Sequence, residues 1–148
     1  MTTVDARIDV LREALMAVAL DREWGLKYAK FARDGSQSLF VHAVNTSSVA
    51  DVLAAKLFGL KDDERIVAFV AAFLHDYQKA NDSWQQAVFD FINGVRVENH
   101  VFDHDNGSEE ELDSLREILQ QVETRLEQQG HKEDLVALAR RILNIIVY

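Results

Sequence analysis

The sequence IVAFVAAFLHDYQK, residues 66–79, decides the fold of this chain. Residues 66–74 are apolar without interruption, and a helix that is apolar on all sides lies inside a protein rather than on its surface. The run ends in His75-Asp76, and Lys79 follows about one helical turn later. We therefore expect a central helix over residues 62–74 that delivers an imidazole and a carboxylate to the edge of the core.

The rest of the chain predicts further helices around this one. Apolar residues recur at helical spacing over residues 4–28, 37–58, 84–92, 108–129 and 133–147. Ser36 or Ser38 can cap the second of these helices, and Gly59 and Gly130 are placed to end helices. Proline is absent, and residues 95–101 are the only short candidate for a strand. The predicted fold class is all-α, a bundle of about six helices.

The length of 148 residues indicates a single domain, residues 1–148, that is long enough to bury a core. The absence of cysteine excludes disulfides and thiolate metal sites, and it suits a reducing cytoplasm. The apolar end Ile145-Ile146-Val147-Tyr148 suggests a domain excised from a longer protein, or one that packs on a partner. No apolar stretch approaches the roughly 20 residues of a membrane span, and no signal peptide is recognisable, so we expect a cytoplasmic location without membrane contact.

The net charge of −9 bears on the choice of partner. Proteins that bind nucleic acid through its phosphates usually present a basic surface. This domain either does not bind nucleic acid, or metal ions and other subunits supply the positive charge.

The histidines are the candidate ligands for a metal ion. A lone histidine within an apolar helix, such as His42, is usually a core residue bonded to a carbonyl group. His100 and His104 are four residues apart, which places them on one face if their segment is helical, and otherwise on a solvated surface. His131 follows a glycine and is expected at the surface. His75, beside Asp76, is the strongest candidate, because imidazole and carboxylate together suit divalent metals.

Two motifs, taken together, resemble a known family. The stretch SLFVHAVN, residues 38–45, is similar to the S-L-x-x-H-x-x-N opening of the HD domain in the large subunit of type I-D CRISPR effector complexes. The stretch LHDYQK, residues 74–79, resembles the Leu-His-Asp-x-x-Lys motif of CRISPR-associated HD nucleases. The resemblance covers roughly residues 38–81, under a third of the chain.

The resemblance implies an HD-domain helical bundle that hydrolyses phosphodiesters with one or two divalent metal ions, Mn, Co, Ni or Fe, with Mg as a further candidate. It implies that His42, His75 and Asp76 are metal ligands, that Asp76 and Lys79 are the catalytic residues, and that Lys79 lies near the scissile phosphate. Further histidine ligands would fall on His100 and His104. The family's closing aspartate has no clean counterpart; the candidates are Asp134, Asp113, Asp103 and Asp105, or none of these.

The favoured function is therefore a metal-dependent nuclease domain of a CRISPR interference complex, acting in antiviral defence. The implied substrate is DNA, handled as a single strand, and the implied partners are the other effector subunits and a helicase. Two further hypotheses stay open. One is an HD phosphohydrolase that acts on small nucleotides, and the other is a degenerate HD domain that serves as a docking module.

Overall fold

The computed structural model describes residues 3–32, 35–60, 62–97, 109–131 and 141. This part of the chain is mostly helical, as predicted, with one small sheet. The helices are α1 (Val4–Asp21), α2 (Leu39–Lys56), α3 (Asp62–Leu74), α4 (Asp82–Ile92) and α5 (Glu109–Gln128). Two 3₁₀ turns, Trp24–Leu26 and Tyr77–Ala80, and two strands, β1 (Tyr28–Ala32) and β2 (Gly35–Ser38), complete the described elements. No described helix is both long and apolar enough to cross a lipid bilayer.

Helix α3 is the central element, as its apolar sequence predicts. From Arg65 to Leu74 none of its residues is exposed. Its inner side chains pack with those of α1, α2 and α5 in a single core. The largest fully buried side chains of that core are Trp24, Phe69, Phe73, Ile8, Leu11, Leu15, Leu39, Ile66, Leu74, Leu115 and Leu126.

The prediction that residues 4–28 form one helix is wrong, and a hairpin forms outside residues 95–101, which were the only candidate for a strand. Helix α1 ends at Asp21, and Glu23 then adopts a left-handed conformation with φ 64°, which turns the chain. Strands β1 and β2 pair antiparallel, with Tyr28 opposite Ser38. The hairpin escapes a search for strand periodicity because it is short and carries a register shift between Tyr28 and Lys30.

The apolar face predicted for α2 is largely exposed, which corrects the sequence-based assignment of its core side. Val49, Val52 and Leu57 are more than half exposed, whereas the buried side of α2 consists of Leu39, Ala43, Ser47, Asp51 and Ala54. Small side chains at this face let α2 approach α3 closely. Packing against a neighbour, rather than hydrophobicity alone, decides which side of this helix turns inward.

The predicted ends of α2, α4 and α5 agree well with the structure, unlike that of α1. Ser38 caps α2 by accepting a hydrogen bond from the backbone N–H of Val41 at 3.1 Å. Gly59, Gly94 and Gly130 have positive φ angles just beyond α2, α4 and α5, where a left-handed residue ends a helix. Residues 95–97 form no strand, and residues 98–101 lie outside the described part of the chain. The last predicted helix, over residues 133–147, also lies outside it except for Arg141.

A partly buried charge cluster joins three helices. Arg65 of α3 donates two hydrogen bonds to Asp51 of α2, at 2.7 and 3.1 Å. Its guanidinium also contacts Asp5 of α1 at 2.7 Å. Asp51 is only 8% exposed, so its charge depends on this bidentate partner rather than on water.

We expect Asp51→Asn to lower the free energy of unfolding by about 2 kcal/mol, because it removes the buried carboxylate that accepts two hydrogen bonds from Arg65, while Asp5 remains as a second partner. Urea unfolding followed by circular dichroism measures this loss. The matched control is Asp9→Asn, since Asp9 pairs with Arg12 at 2.7 Å in an exposed contact. That control should cost less than about 1 kcal/mol. Equal losses for the two variants would contradict the assigned role of Asp51.

Candidate metal centre

The two motif histidines meet because α2 and α3 are antiparallel neighbours. A short connection, residues 57–61, joins the two helices, and they pack directly on each other. His42 lies in the first turn of α2, which Ser38 caps. His75 and Asp76 directly follow Leu74, the last residue of α3. The start of one helix thus lies beside the end of the next, and side chains 33 and 34 positions apart are brought together.

His42, His75 and Asp76 form a group that can hold a metal ion. Their potential ligand atoms all lie within 4.8 Å of one another. The Oδ2 atom of Asp76 lies 2.8 Å from Nε2 of His42 and 3.0 Å from Nε2 of His75. The two imidazole rings are 5.4 Å apart and inclined by 50°, so they converge on the carboxylate without stacking on each other. Two imidazole nitrogens and a carboxylate oxygen are a donor set that divalent transition metals favour.

The orientation of His75 is fixed by a backbone carbonyl. Its Nδ1 lies 2.6 Å from the carbonyl oxygen of Ala72, one turn earlier in α3, so Nδ1 carries the hydrogen and donates it. When His75 is protonated, its Nε2 donates a hydrogen bond to Asp76; when the ring loses this proton, the Nε2 lone pair becomes available to a metal ion. The hydrogen bond from Nδ1 to Ala72 is the kind of support that metal-ligating histidines commonly have.

Asp76 stays ionised although it is buried. Its side chain is 7% exposed, and burial alone would raise its pKa. The hydrogen bond from His75 and the positive charge of Lys79 outweigh burial and hold the pKa of Asp76 well below its usual range. The centre therefore offers a full negative charge to a cation at neutral pH.

Lys79 faces this carboxylate from the 3₁₀ turn that follows α3. Its ammonium lies 3.2 Å from Oδ2 of Asp76 and donates a hydrogen bond to the carbonyl oxygen of Ala29 at 3.1 Å. The ammonium also lies over the ring of Trp84, 5.6 Å from its centroid. The Lys79 side chain is only 14% exposed, so its ammonium is packed within the centre and is not a solvated surface charge.

Gln85 of α4 ties the hairpin to this turn. Its side-chain oxygen accepts a hydrogen bond from the backbone N–H of Tyr28 at 2.8 Å. Its side-chain nitrogen donates to the carbonyl oxygens of Tyr28 at 2.8 Å and Lys79 at 2.6 Å. The register shift in β1 spans Ala29, which leaves its carbonyl available to Lys79.

The remaining predicted ligands do not join the group within the described residues. His100, His104, Asp103, Asp105 and Asp134 lie outside the described part of the chain. Asp113 lies on an exposed face of α5, where it pairs with Arg116 at 3.0 Å. His131 follows the end of α5 and is not part of the group either.

The comparisons with known proteins supply no relative. No family model, curated protein or solved structure matches this chain.

Sequence reasoning missed the residues that support the centre rather than form it. Gln85 and the carbonyl group of Ala29 have no signature in the sequence, because their roles depend on a hairpin that was not predicted. Trp84 is buried, and its position beneath the Lys79 ammonium has no signature in the sequence either.

We expect Gln85→Leu to lower the free energy of unfolding by about 2 kcal/mol, because both polar backbone groups of Tyr28 lose their side-chain partner. Urea unfolding measures the loss. Gln86→Leu is the matched control, since Gln86 is exposed and contacts only Asp90 among the described residues. It should change stability by less than about 0.5 kcal/mol. A neutral Gln85→Leu variant would show that the hairpin is held by other contacts.

The pairing of His75 with Asp76 predicts a pH-dependent stability in the absence of metal. The hydrogen bond that protonated His75 donates to Asp76 raises the pKa of His75 above its ordinary value of 6.5, against the opposing effect of burial. The stabilisation that the His75–Asp76 hydrogen bond gives to the folded state is therefore complete below the pKa of His75 in the unfolded chain. It disappears as the pH rises through the raised pKa of His75 in the folded protein.

Urea unfolding of wild type and His75→Gln in EDTA, at about pH 5.5 and about pH 9, isolates this contribution. The stability difference between the two proteins should be larger at the lower pH. His131→Gln controls for the loss of a histidine outside the group. A difference that stays constant with pH, or that grows at high pH, would contradict the pairing.

Proposed function

We propose that this chain is a metal-dependent phosphodiesterase with an HD-type helical bundle, and that it cuts DNA as a single strand. The observation that carries the proposal is the convergence of His42, His75 and Asp76, from two separate motifs, on one carboxylate oxygen. The oriented ring of His75 and the adjacent ammonium of Lys79 support it.

The donor set fits a divalent transition metal, and Mn, Co, Ni or Fe are the candidates. Mg, a harder Lewis acid that prefers oxygen ligands, is the alternative. His42, His75 and Asp76 would hold the ion. When bound, such an ion would neutralise phosphate charge and activate a water molecule for attack on the phosphodiester. A second ion would need ligands beyond these three residues, and His100 and His104 are the candidates from the sequence.

The protein's own residues would prepare this chemistry. Asp76 provides negative charge at neutral pH, because its pKa is held low by its hydrogen-bonded neighbours in spite of burial. Lys79 places a positive charge 3.2 Å from that carboxylate, where it can attract a phosphate oxygen as the substrate approaches. A lysine ammonium has three N–H donors, and the contacts with Asp76 and Ala29 use two of them.

The partners follow from the charge of the chain. A domain of net charge −9 gains little from nonspecific attraction to DNA. We propose that other subunits of a CRISPR effector complex, together with a helicase, bring the single strand to the centre. Hydrolysis of small nucleotides and a docking role without metal are the alternatives that the following test separates.

We expect the wild-type protein to degrade single-stranded DNA when Mn²⁺, Co²⁺ or Ni²⁺ is added, and to be inactive in EDTA. The variant His75→Ala/Asp76→Ala should lose at least about 100-fold of this activity, because it removes two of the three ligands. Lys56→Met is the matched control, since Lys56 is an exposed lysine in the last turn of α2. It should retain full activity.

Circular dichroism and urea unfolding establish that each protein is folded before the assay. A folded wild-type protein that cuts no DNA with any of these metals would contradict the nuclease proposal. Hydrolysis of mononucleotides under the same conditions would then favour the phosphohydrolase alternative. A folded protein that hydrolyses neither DNA nor mononucleotides and binds none of these metals would favour the role of a docking module.

A further inference from the structure

A cavity of about 260 Å³ lies beside the metal centre, between the end of α1, the two 3₁₀ turns and α5. Tyr77 contributes to its wall and directly follows the metal-centre residue Asp76. Trp24, which is 1% exposed and stacks on Phe73 at a centroid distance of 6.1 Å, contributes from the other side. The cavity is therefore built on rigid core residues.

The charge of this wall is opposite to that of the protein. Among the described lining residues the ionised side chains are Arg22 and Lys27, and no carboxylate is present. Arg22 has a carboxylate partner outside the lining, Glu117 at 3.7 Å, whereas Lys27 contacts the carbonyl oxygen of Ala80. Such a local concentration of positive charge attracts an anion.

Both cations retain hydrogen-bonding capacity. Arg22 contacts Gln121 at 3.3 Å and Glu117 at 3.7 Å, and both contacts use its Nη1 atom. The remaining donors of the guanidinium, on Nε and Nη2, make no hydrogen bond with another described residue. Lys27 donates to the carbonyl oxygen of Ala80 at 3.0 Å, which uses one of its three N–H groups.

Two uncharged polar residues, Asn81 and Ser114, also line the cavity. Asn81 accepts from the backbone N–H of Ser83 through its side-chain oxygen at 2.8 Å, so its amide nitrogen remains a donor. The hydroxyl group of Ser114 lines the α5 side.

We propose that this cavity binds a small phosphate-bearing anion. A phosphate group carries a charge close to −2 and several acceptor oxygens, which matches two cations and two neutral polar side chains better than a carboxylate does. The volume suits a small ligand rather than a strand of nucleic acid. Free phosphate and a nucleoside monophosphate share this chemistry, and the aromatic wall of Trp24 and Tyr77 leaves room for either source.

The proposal does not depend on the metal centre. Inorganic phosphate titrated into the full chain by isothermal calorimetry, in EDTA and at low salt, tests it directly. Wild type should bind with a saturable isotherm, and Lys27→Met should weaken the affinity about tenfold or more, because it removes one charged donor. Lys56→Met removes an exposed lysine outside the cavity and should leave the affinity unchanged.

A second variant guards against disturbance of the fold by Lys27→Met. Ser114→Val narrows the cavity and leaves the contact between Lys27 and Ala80 intact, so it should also weaken binding about tenfold. His42→Ala should bind phosphate as wild type does, even if it abolishes nuclease activity. Absence of phosphate binding by folded wild type, or its loss in His42→Ala with retention in Lys27→Met, would overturn the proposal.

Titration with adenosine monophosphate distinguishes the two sources of phosphate. Binding at least about tenfold tighter than that of inorganic phosphate would support a nucleotide ligand, because the aromatic wall would then contribute to the affinity. Equal affinities would support free phosphate. Both results support the proposed phosphate chemistry. Adenosine, which lacks the phosphate group, is titrated as the control, and binding of adenosine but not of inorganic phosphate would contradict the proposal.

Discussion

The centre depends on one buried carboxylate. An ionised Asp76, 5% exposed, would be strongly unfavourable without partners, because burial removes the water that stabilises its charge. The Oδ2 atom instead lies within 3.2 Å of donor atoms from His42, His75 and Lys79. These three residues belong to the start of α2, the segment after α3 and the following 3₁₀ turn, so the need to satisfy one charge holds three elements in fixed positions.

A second set of contacts holds the lysine that completes this environment. Gln85 joins α4 to β1 and to the turn, while the carbonyl group of Ala29 receives the Lys79 ammonium. On the far side of the same turn Lys27 binds Ala80 and lines the cationic cavity. The hairpin therefore has a structural role, because it supports the candidate metal centre through Ala29 and Tyr28. The residue before it, Lys27, lines the neighbouring cavity.

The sequence allowed much of the site to be predicted but less of its surroundings. Residues 66–74 specify a buried helix because every position is apolar, and Ser38 and the positive-φ glycines specify helix ends because their local chemistry suffices. His42, His75 and Asp76 could be chosen as candidate ligands because their types and order carry a signal, and the structure brings them together. Three features could not be predicted, since each depends on contacts with another segment of the chain. They are the short hairpin, the Asp51–Arg65 pair and the inward side of α2.

We propose that His42, His75 and Asp76 bind one divalent ion. A crystal structure of the protein soaked with Mn²⁺, with anomalous diffraction collected for manganese, tests this directly. We expect an anomalous peak bounded by Nε2 of His42, Nε2 of His75 and Oδ2 of Asp76, and no peak there in an Asp76→Asn crystal. A fully soaked crystal without a peak at this position, or with manganese held elsewhere, would contradict it.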